Sequence, residues 1–157
     1  CGMKLKKTLM VFLMWLALVG TLGQTAQAQD VKPLSFIRME DMRCEKIDLT
    51  QMDFINSSTT VRITGSINGK IPAHQTYGKD GAISLVPSQI ITFNCSYSPT
   101  SVSMDFGVVA PDGYYYYINT RGGSINQSIA VSQRGDYIVA IRNNSSQTVR
   151  VVGFVDY

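Results

Sequence analysis

The second half of the chain is a series of short alternating runs separated by turn residues, a pattern that few folds accommodate. One run shows it clearly, since apolar residues occupy alternate positions between residues 101 and 109: Val102, Met104, Phe106 and Val108. Such alternation is typical of a β-strand with one buried face. Turn sequences follow at short intervals, at 111–113, 120–123, 133–136 and 143–147. The pattern predicts a succession of short strands.

The first half carries the same signals less regularly. Residues 60–67 alternate and lead into Asn68-Gly69, a dipeptide that favours a hairpin turn because both residues tolerate positive φ. Residues 82–86 and 89–97 are predicted strands separated by Pro87. In the second of them, alternate residues would share a buried face: Ile91, Phe93, Cys95 and Tyr97. Residues 37–54 hold the most charge, and this segment could include a helical turn.

About eight strands without intervening helices favour two packed antiparallel sheets. We therefore predict an all-β fold, an antiparallel β-sandwich that is jelly-roll-like, as a single domain over residues 29–157. That length suits one domain with a hydrophobic core and leaves no room for two.

Residues 1–28 are predicted to be a signal peptide. From Met3, three lysines precede a charge-free apolar run at residues 9–22, and a polar stretch ends in Ala26-Gln27-Ala28. These are the three parts of a secretory signal, with cleavage expected after Ala28. Residues 1–2 precede Met3 and are interpreted as an upstream remnant. A retained anchor is the alternative, although a spanning helix needs about 20 apolar residues.

The signal peptide predicts a secreted, extracytoplasmic protein that meets a membrane only during export. The chain has 14 basic and 11 acidic residues, and three of the basic residues lie within residues 3–28. The remainder therefore holds 11 of each sign. This balance gives no argument for nucleic acid as a partner.

Residues 101–155 also carry a recurring order of strands and turns. Its parts are the alternating strand at 102–108, the turn Pro111-Asp112-Gly113, the strand at 124–131, and the segment 135–139 that leads to Asn143-Asn144. In these features the chain resembles the pre-peptidase C-terminal domains of secreted bacterial proteases and, more loosely, the GOLD domains. The resemblance implies a bacterial β-sandwich that accompanies a larger enzyme, and it transfers no functional residue.

Catalytic motifs are not found in the sequence. A Ser–His–Asp or Cys–His hydrolase needs a histidine base, and the one histidine, His74, lies in a segment without a G-x-S-x-G elbow. A dyad of His74 with Cys44 or Cys95 rests on residue type alone. The prediction is a protein that is not an enzyme, with a small secreted hydrolase using His74 as an alternative.

The two cysteines after residue 28 are Cys44 and Cys95. In an oxidising compartment an even pair favours a disulfide, and two buried free thiols are the alternative. No cofactor is predicted. Calcium bound by turn aspartates such as Asp112 and Asp136 stays open, although the D-x-D-x-D-G spacing is missing.

Four consecutive tyrosines are the most distinctive local feature. Alternate residues of a strand face opposite sides, so two of the four would enter the core and two would face outward. Outward aromatic rings can stack on sugars or bind a partner surface, whereas ordinary strand packing is the alternative. The candidate ligand-binding residues are therefore one of two pairs, Tyr115 with Tyr117 or Tyr114 with Tyr116.

These observations predict a secreted, non-catalytic binding module. Its partner would be an unknown extracellular ligand: a polysaccharide, a cell-wall component or a protein. A surface rich in Ser, Asn, Gln and Tyr suits such a polar ligand. The first alternative is a structural or assembly subunit that pairs through edge strands.

Overall fold

Two β-sheets enclose a hydrophobic core in the computed structural model, which describes residues 35–55 and 64–157. The strands formed there are β1 (Phe36–Arg38), β2 (Arg43–Lys46), β3 (Asp53–Ile55), β4 (Thr64–Ile71), β5 (Thr76–Lys79), β6 (Ile83–Leu85), β7 (Ile90–Ser98), β8 (Met104–Val109), β9 (Tyr114–Thr120), β10 (Ser124–Ala130), β11 (Gly135–Asn143) and β12 (Val149–Asp156). The first sheet has the order β1-β10-β7-β12-β4. The second has the order β2-β9-β8-β11-β5-β3, with β6 also paired to β11.

The core lies between the inner faces of the two sheets. Phe93 of β7 meets Phe106 of β8 across it, with ring centroids 6.2 Å apart and ring planes at 69°. The inward face predicted for β7 is confirmed, because its alternate residues from Ile91 to Tyr97 are all buried. The predicted all-β sandwich is therefore confirmed.

The hairpin between β8 and β9 uses the predicted Pro-Asp-Gly turn. Gly113 has a φ of 80°, and the backbone N–H of Tyr114 donates to the Asp112 carboxylate at 3.0 Å. From β9 onward the chain alternates between sheets, because β10 and β12 join the first and β11 joins the second. These crossings interleave the last strands of the chain across both layers.

The strand count and one turn differ from the prediction. About eight strands were expected, and twelve are formed in the described ranges. The hairpin predicted at Asn68-Gly69 is wrong, because both residues lie inside β4, opposite Val152 and Val151. A long antiparallel ladder with β12 overrides the local turn preference there. Residues 60–63 of the predicted run lie outside the described residues.

The charged segment near residue 40 forms short elements. Two 3-10 turns, Met39–Asp41 and Leu49–Gln51, separate β1, β2 and β3. Two strand pairs are parallel, β1 with β10 and β3 with β5, where only antiparallel pairing was expected. The signal peptide predicted at residues 1–28 lies outside the described part, in which no helix has the length and apolarity to cross a membrane.

The predicted disulfide between Cys44 and Cys95 is wrong. Cys95 is a free, buried thiol on β7 of the first sheet, with its Sγ 3.8 Å from the backbone oxygen of Phe154. Cys44 lies on β2 of the second sheet, opposite Tyr116. Alternation correctly placed Cys95 inside, but spacing along the chain could not show which residues surround its thiol. Burial raises the pKa of Cys95 to about 11.

Candidate ligand-binding face

The four tyrosines lie on β9 and alternate between two environments. Tyr114 and Tyr116 face the core, whereas Tyr115 and Tyr117 lie on the outer face of the second sheet. Tyr115 is fully buried even so, and its hydroxyl donates to the backbone oxygens of Asp105 and Ala140 at 3.1 and 3.2 Å. None of the four is exposed, since Tyr116 is buried and the other two are half-buried. The contacts of Tyr115 and Tyr116 are therefore those of packed side chains, as in the strand-packing alternative.

A charged network covers the outward pair of tyrosines. The Arg142 guanidinium donates from Nε and Nη2 to one oxygen of Asp105, at 2.9 and 2.7 Å, and its Nη1 pairs with Glu45. Asn119 donates to the other Asp105 oxygen at 2.6 Å. Burial alone would lower the pKa of Arg142, but its hydrogen bonds to Asp105 and Glu45 raise it above its ordinary value. Because each charge has a partner, this network offers no free charge to a ligand.

The catalytic and metal candidates are isolated in the structure. His74 is exposed in the turn between β4 and β5, in a left-handed conformation with φ of 58°. Within residues 35–55 and 64–157 its ring makes no hydrogen bond, and no group of three potential metal ligands is formed. Asp136 accepts a hydrogen bond from Ser84, and Asp112 accepts from Tyr116 at 2.7 Å. These turn aspartates are therefore occupied by local contacts.

The outer face of the first sheet is open and nearly uncharged at its centre. Strand alternation points Val152 and Phe154 of β12 outward, where they are 43% and 42% exposed. Exposed polar residues flank them in register: Ser66 and Asn68 on β4, Asn94 and Ser96 on β7, and Ser124 and Asn126 on β10. We call these eight residues the β12 face.

The β12 face occupies the middle of the first sheet's outer side. Four strands spaced about 4.8 Å apart span about 14 Å, and the eight residues of β12 extend about 27 Å, so this whole outer side measures about 400 Å² in plane. The inward residue between the two apolar ones is Gly153. A Cβ there would lie 2.5 Å from the Cα of Cys95, so glycine is required for the close approach of β12 to β7.

Sequence reasoning missed Val152 and Phe154, although a signal exists. In residues 149–155 apolar residues occur at both odd and even positions, VRVVGFV. An antiparallel strand with one solvent-exposed face alternates more strictly between apolar and polar residues. The additional apolar residues at even positions therefore indicate an outer face that is partly apolar.

Two pockets lie outside this face. One of about 410 Å³ adjoins β1 and is lined by Phe36, Met39 and Pro87 among others. A shallower one of about 270 Å³ lies beside Tyr117 and Asn119, at the start of β2. Neither holds a buried polar group without a partner, because the one such atom found in the described part is the hydroxyl of Tyr97.

Comparison with known proteins shows a distant structural likeness. No protein-family model matches the chain, and no curated protein matches it in sequence. Among solved structures it is similar to PliG of Aeromonas hydrophila, a periplasmic lysozyme inhibitor of g-type lysozyme, with a TM-score of 0.45 and 14% identity, covering 68% of this chain and 95% of that one. A likeness this distant carries no argument about function. The comparison gives no support to a pre-peptidase C-terminal or GOLD identity.

Proposed function

We propose that this chain is a non-catalytic binding module whose β12 face binds an extended extracellular polysaccharide. The observation that carries the proposal is the exposed pair Val152 and Phe154 at the centre of an open surface of hydroxyl and amide side chains. The extracellular setting rests on the signal peptide predicted in residues 1–28.

The side chains of this face suit sugar chemistry. Serine hydroxyls and asparagine amides both donate and accept hydrogen bonds, as sugar hydroxyls do. The Phe154 ring offers an apolar plane on which the C–H face of a sugar ring can stack. A single exposed hydrogen bond contributes only about 0.5–1.5 kcal/mol, so useful affinity requires contacts with several sugars in a row. The outward residues of β12 and its neighbouring strands provide that row along the outer side of the sheet.

The size of the face favours a polymer over a folded protein. A stable protein–protein interface buries about 800 Å² on each partner, roughly twice the area of the first sheet's whole outer side. Its centre also holds just two apolar side chains, whereas protein interfaces concentrate aromatic residues there. An extended polysaccharide needs only a strip of contacts.

The test is binding of the purified secreted chain to a panel of soluble polysaccharides by affinity electrophoresis and calorimetry. We expect the double variant V152S/F154S to weaken binding at least tenfold, which corresponds to about 1.4 kcal/mol. The matched control is Leu49→Ser, because Leu49 is 43% exposed but lies in the 3-10 turn between β2 and β3, which are strands of the second sheet. Unchanged binding by the double variant, or binding to no polysaccharide of the panel, would refute the proposal.

A second candidate function is assembly through β4, favoured by the position of that strand. β4 ends the first sheet, is eight residues long and contains a single charged residue, Lys70. Long, weakly charged edge strands are templates for pairing with another chain. Assembly predicts a dimer whose population rises with concentration in analytical ultracentrifugation. A monomer at every concentration would remove this candidate.

A further inference from the structure

Two cations lie side by side at one end of the first sheet's outer face. Lys70 of β4 is directly opposite Arg150 of β12, and both side chains are exposed. Arg150 is two and four residues before Val152 and Phe154, so all three side chains project from the same side of β12. The cation pair therefore continues the β12 face.

This pair has no counter-charge in the described part of the chain. The ion pairs formed there belong to Arg38 and Arg142. The neighbours of Arg150 are neutral: Ser98 lies opposite on β7, and the Asn68 amide oxygen is 3.5 Å from the guanidinium. The nearest acidic residue of the same strand, Asp156, is about 20 Å further along.

Like charges on directly opposite residues of neighbouring strands repel each other in the folded protein. An anionic group placed between the two would relieve that repulsion, and both side chains suit the task. Arginine binds carboxylate, sulfate or phosphate oxygens through its planar fork, and lysine binds them as a point charge.

Building on the proposed function, we infer that the polysaccharide is acidic and that Lys70 and Arg150 hold its anionic groups. Since residues 29–157 contain 11 basic and 11 acidic residues, net charge does not draw an acidic polymer to the protein. Recognition is local to this end of the sheet. The anionic group binds about 13 Å from the sugar stacked on Phe154, so the polymer runs along β12.

The experiment compares polymers that differ in charge alone. The probes are polygalacturonate with its methyl ester, and hyaluronate with its carboxyl-reduced form. We expect the acidic member of a pair to bind at least tenfold more tightly than the neutral one, and the difference to shrink as salt is raised. In K70Q/R150Q the ratio of the two affinities falls to about one.

The matched control is R121Q/R134Q, which removes two exposed arginines from turns and changes the net charge by the same amount. It retains the preference if recognition is local. Equal loss in both double variants, or equal binding of acidic and neutral polymers by the unmodified protein, overturns the inference. If the acidic and neutral polymers bind equally and V152S/F154S weakens the binding of both, the proposed function stands and the preference for an acidic polymer does not. If no probe binds, this inference and the proposed function both fail; an acidic protein bound instead also overturns both.

Discussion

The guanidinium of Arg142 lies over the ring of Tyr117, with its central carbon 4.8 Å from the ring centroid. The same group forks onto Asp105, whose side chain is 2% exposed. The paired guanidinium of Arg142, stacked on the Tyr117 ring, therefore covers this part of the second sheet's outer face. Buried polar contacts of this kind should contribute strongly to the stability of the protein.

Replacing Asp105 by Asn should destabilise the protein strongly. The change leaves Arg142 without its most buried partner, and breaking such a pair costs about 3 kcal/mol or more. The free energy of unfolding in urea measures it. The control is Glu40→Gln, which removes a pair with Arg38 in which both side chains are more than half exposed, and it should cost less than about 1 kcal/mol. Similar values for both variants would contradict a structural role for Asp105.

Asn143→Ala should cost about 3 kcal/mol, whereas Asn144→Ala should change stability by less than about 0.5 kcal/mol. Asn143 is fully buried, and its amide donates to the backbone oxygens of Ile71, Pro72 and Gln147. Truncation removes the amide donor from all three oxygens, of which the Gln147 oxygen keeps the Ser145 hydroxyl as a partner, whereas the neighbouring Asn144 is exposed. Chemical denaturation of the two variants separates these roles, and a stable N143A protein would show that water replaces the amide.

Stability should fall as the pH rises above 10. Burial raises the pKa of Tyr115 and Tyr137 above the ordinary value of 10.0, and burial with the hydrogen bond to Asp112 raises that of Tyr116 to about 12. The folded state therefore holds these protons more tightly than the unfolded chain, and its stability declines between pH 10 and 12. The raised pKa of Cys95 acts with the same sign. Urea midpoints against pH measure the slope, which Tyr116→Phe should make shallower; an identical slope would contradict the assignment.

Cys95 should resist alkylation in the native protein at pH 8. Its thiol is buried and its pKa is raised to about 11, so little thiolate forms and reagents reach it poorly. Peptide mapping after iodoacetamide should find Cys95 unmodified under native conditions and fully modified in denaturant. A Cys44–Cys95 cross-linked peptide under non-reducing conditions would contradict the structure.

The sequence predicted the fold best where alternation and turn chemistry agreed. From residue 101 onward each predicted strand is found, because Gly113 and its neighbours favour the turn that the sheet also requires. Asn68-Gly69 shows the opposite case, since pairing with β12, some eighty residues away, outweighs local preference. Such long-range pairing has no signature in a single sequence.

The sequence predicted a polar binding face with exposed aromatic residues, but it did not predict which strands form that face. Alternation indicated that two tyrosines leave the core, yet it could not show that Arg142 and the segment around Met52 cover Tyr115. On the β12 face the exposed aromatic residue is instead Phe154, whose neighbours come from other strands. A polar ligand face thus depends on register between distant strands.

Strand β12 follows both β4 and β7 in the sequence and yet lies between them in the first sheet. The first sheet therefore lacks an interior member until β12 has paired with both neighbours, and β1 likewise waits for β10. Contacts this distant in sequence make folding slow and leave few stable partial structures. We expect loss of residues 149–156 to prevent folding altogether, because β7 and β4 would then have no strand to join them.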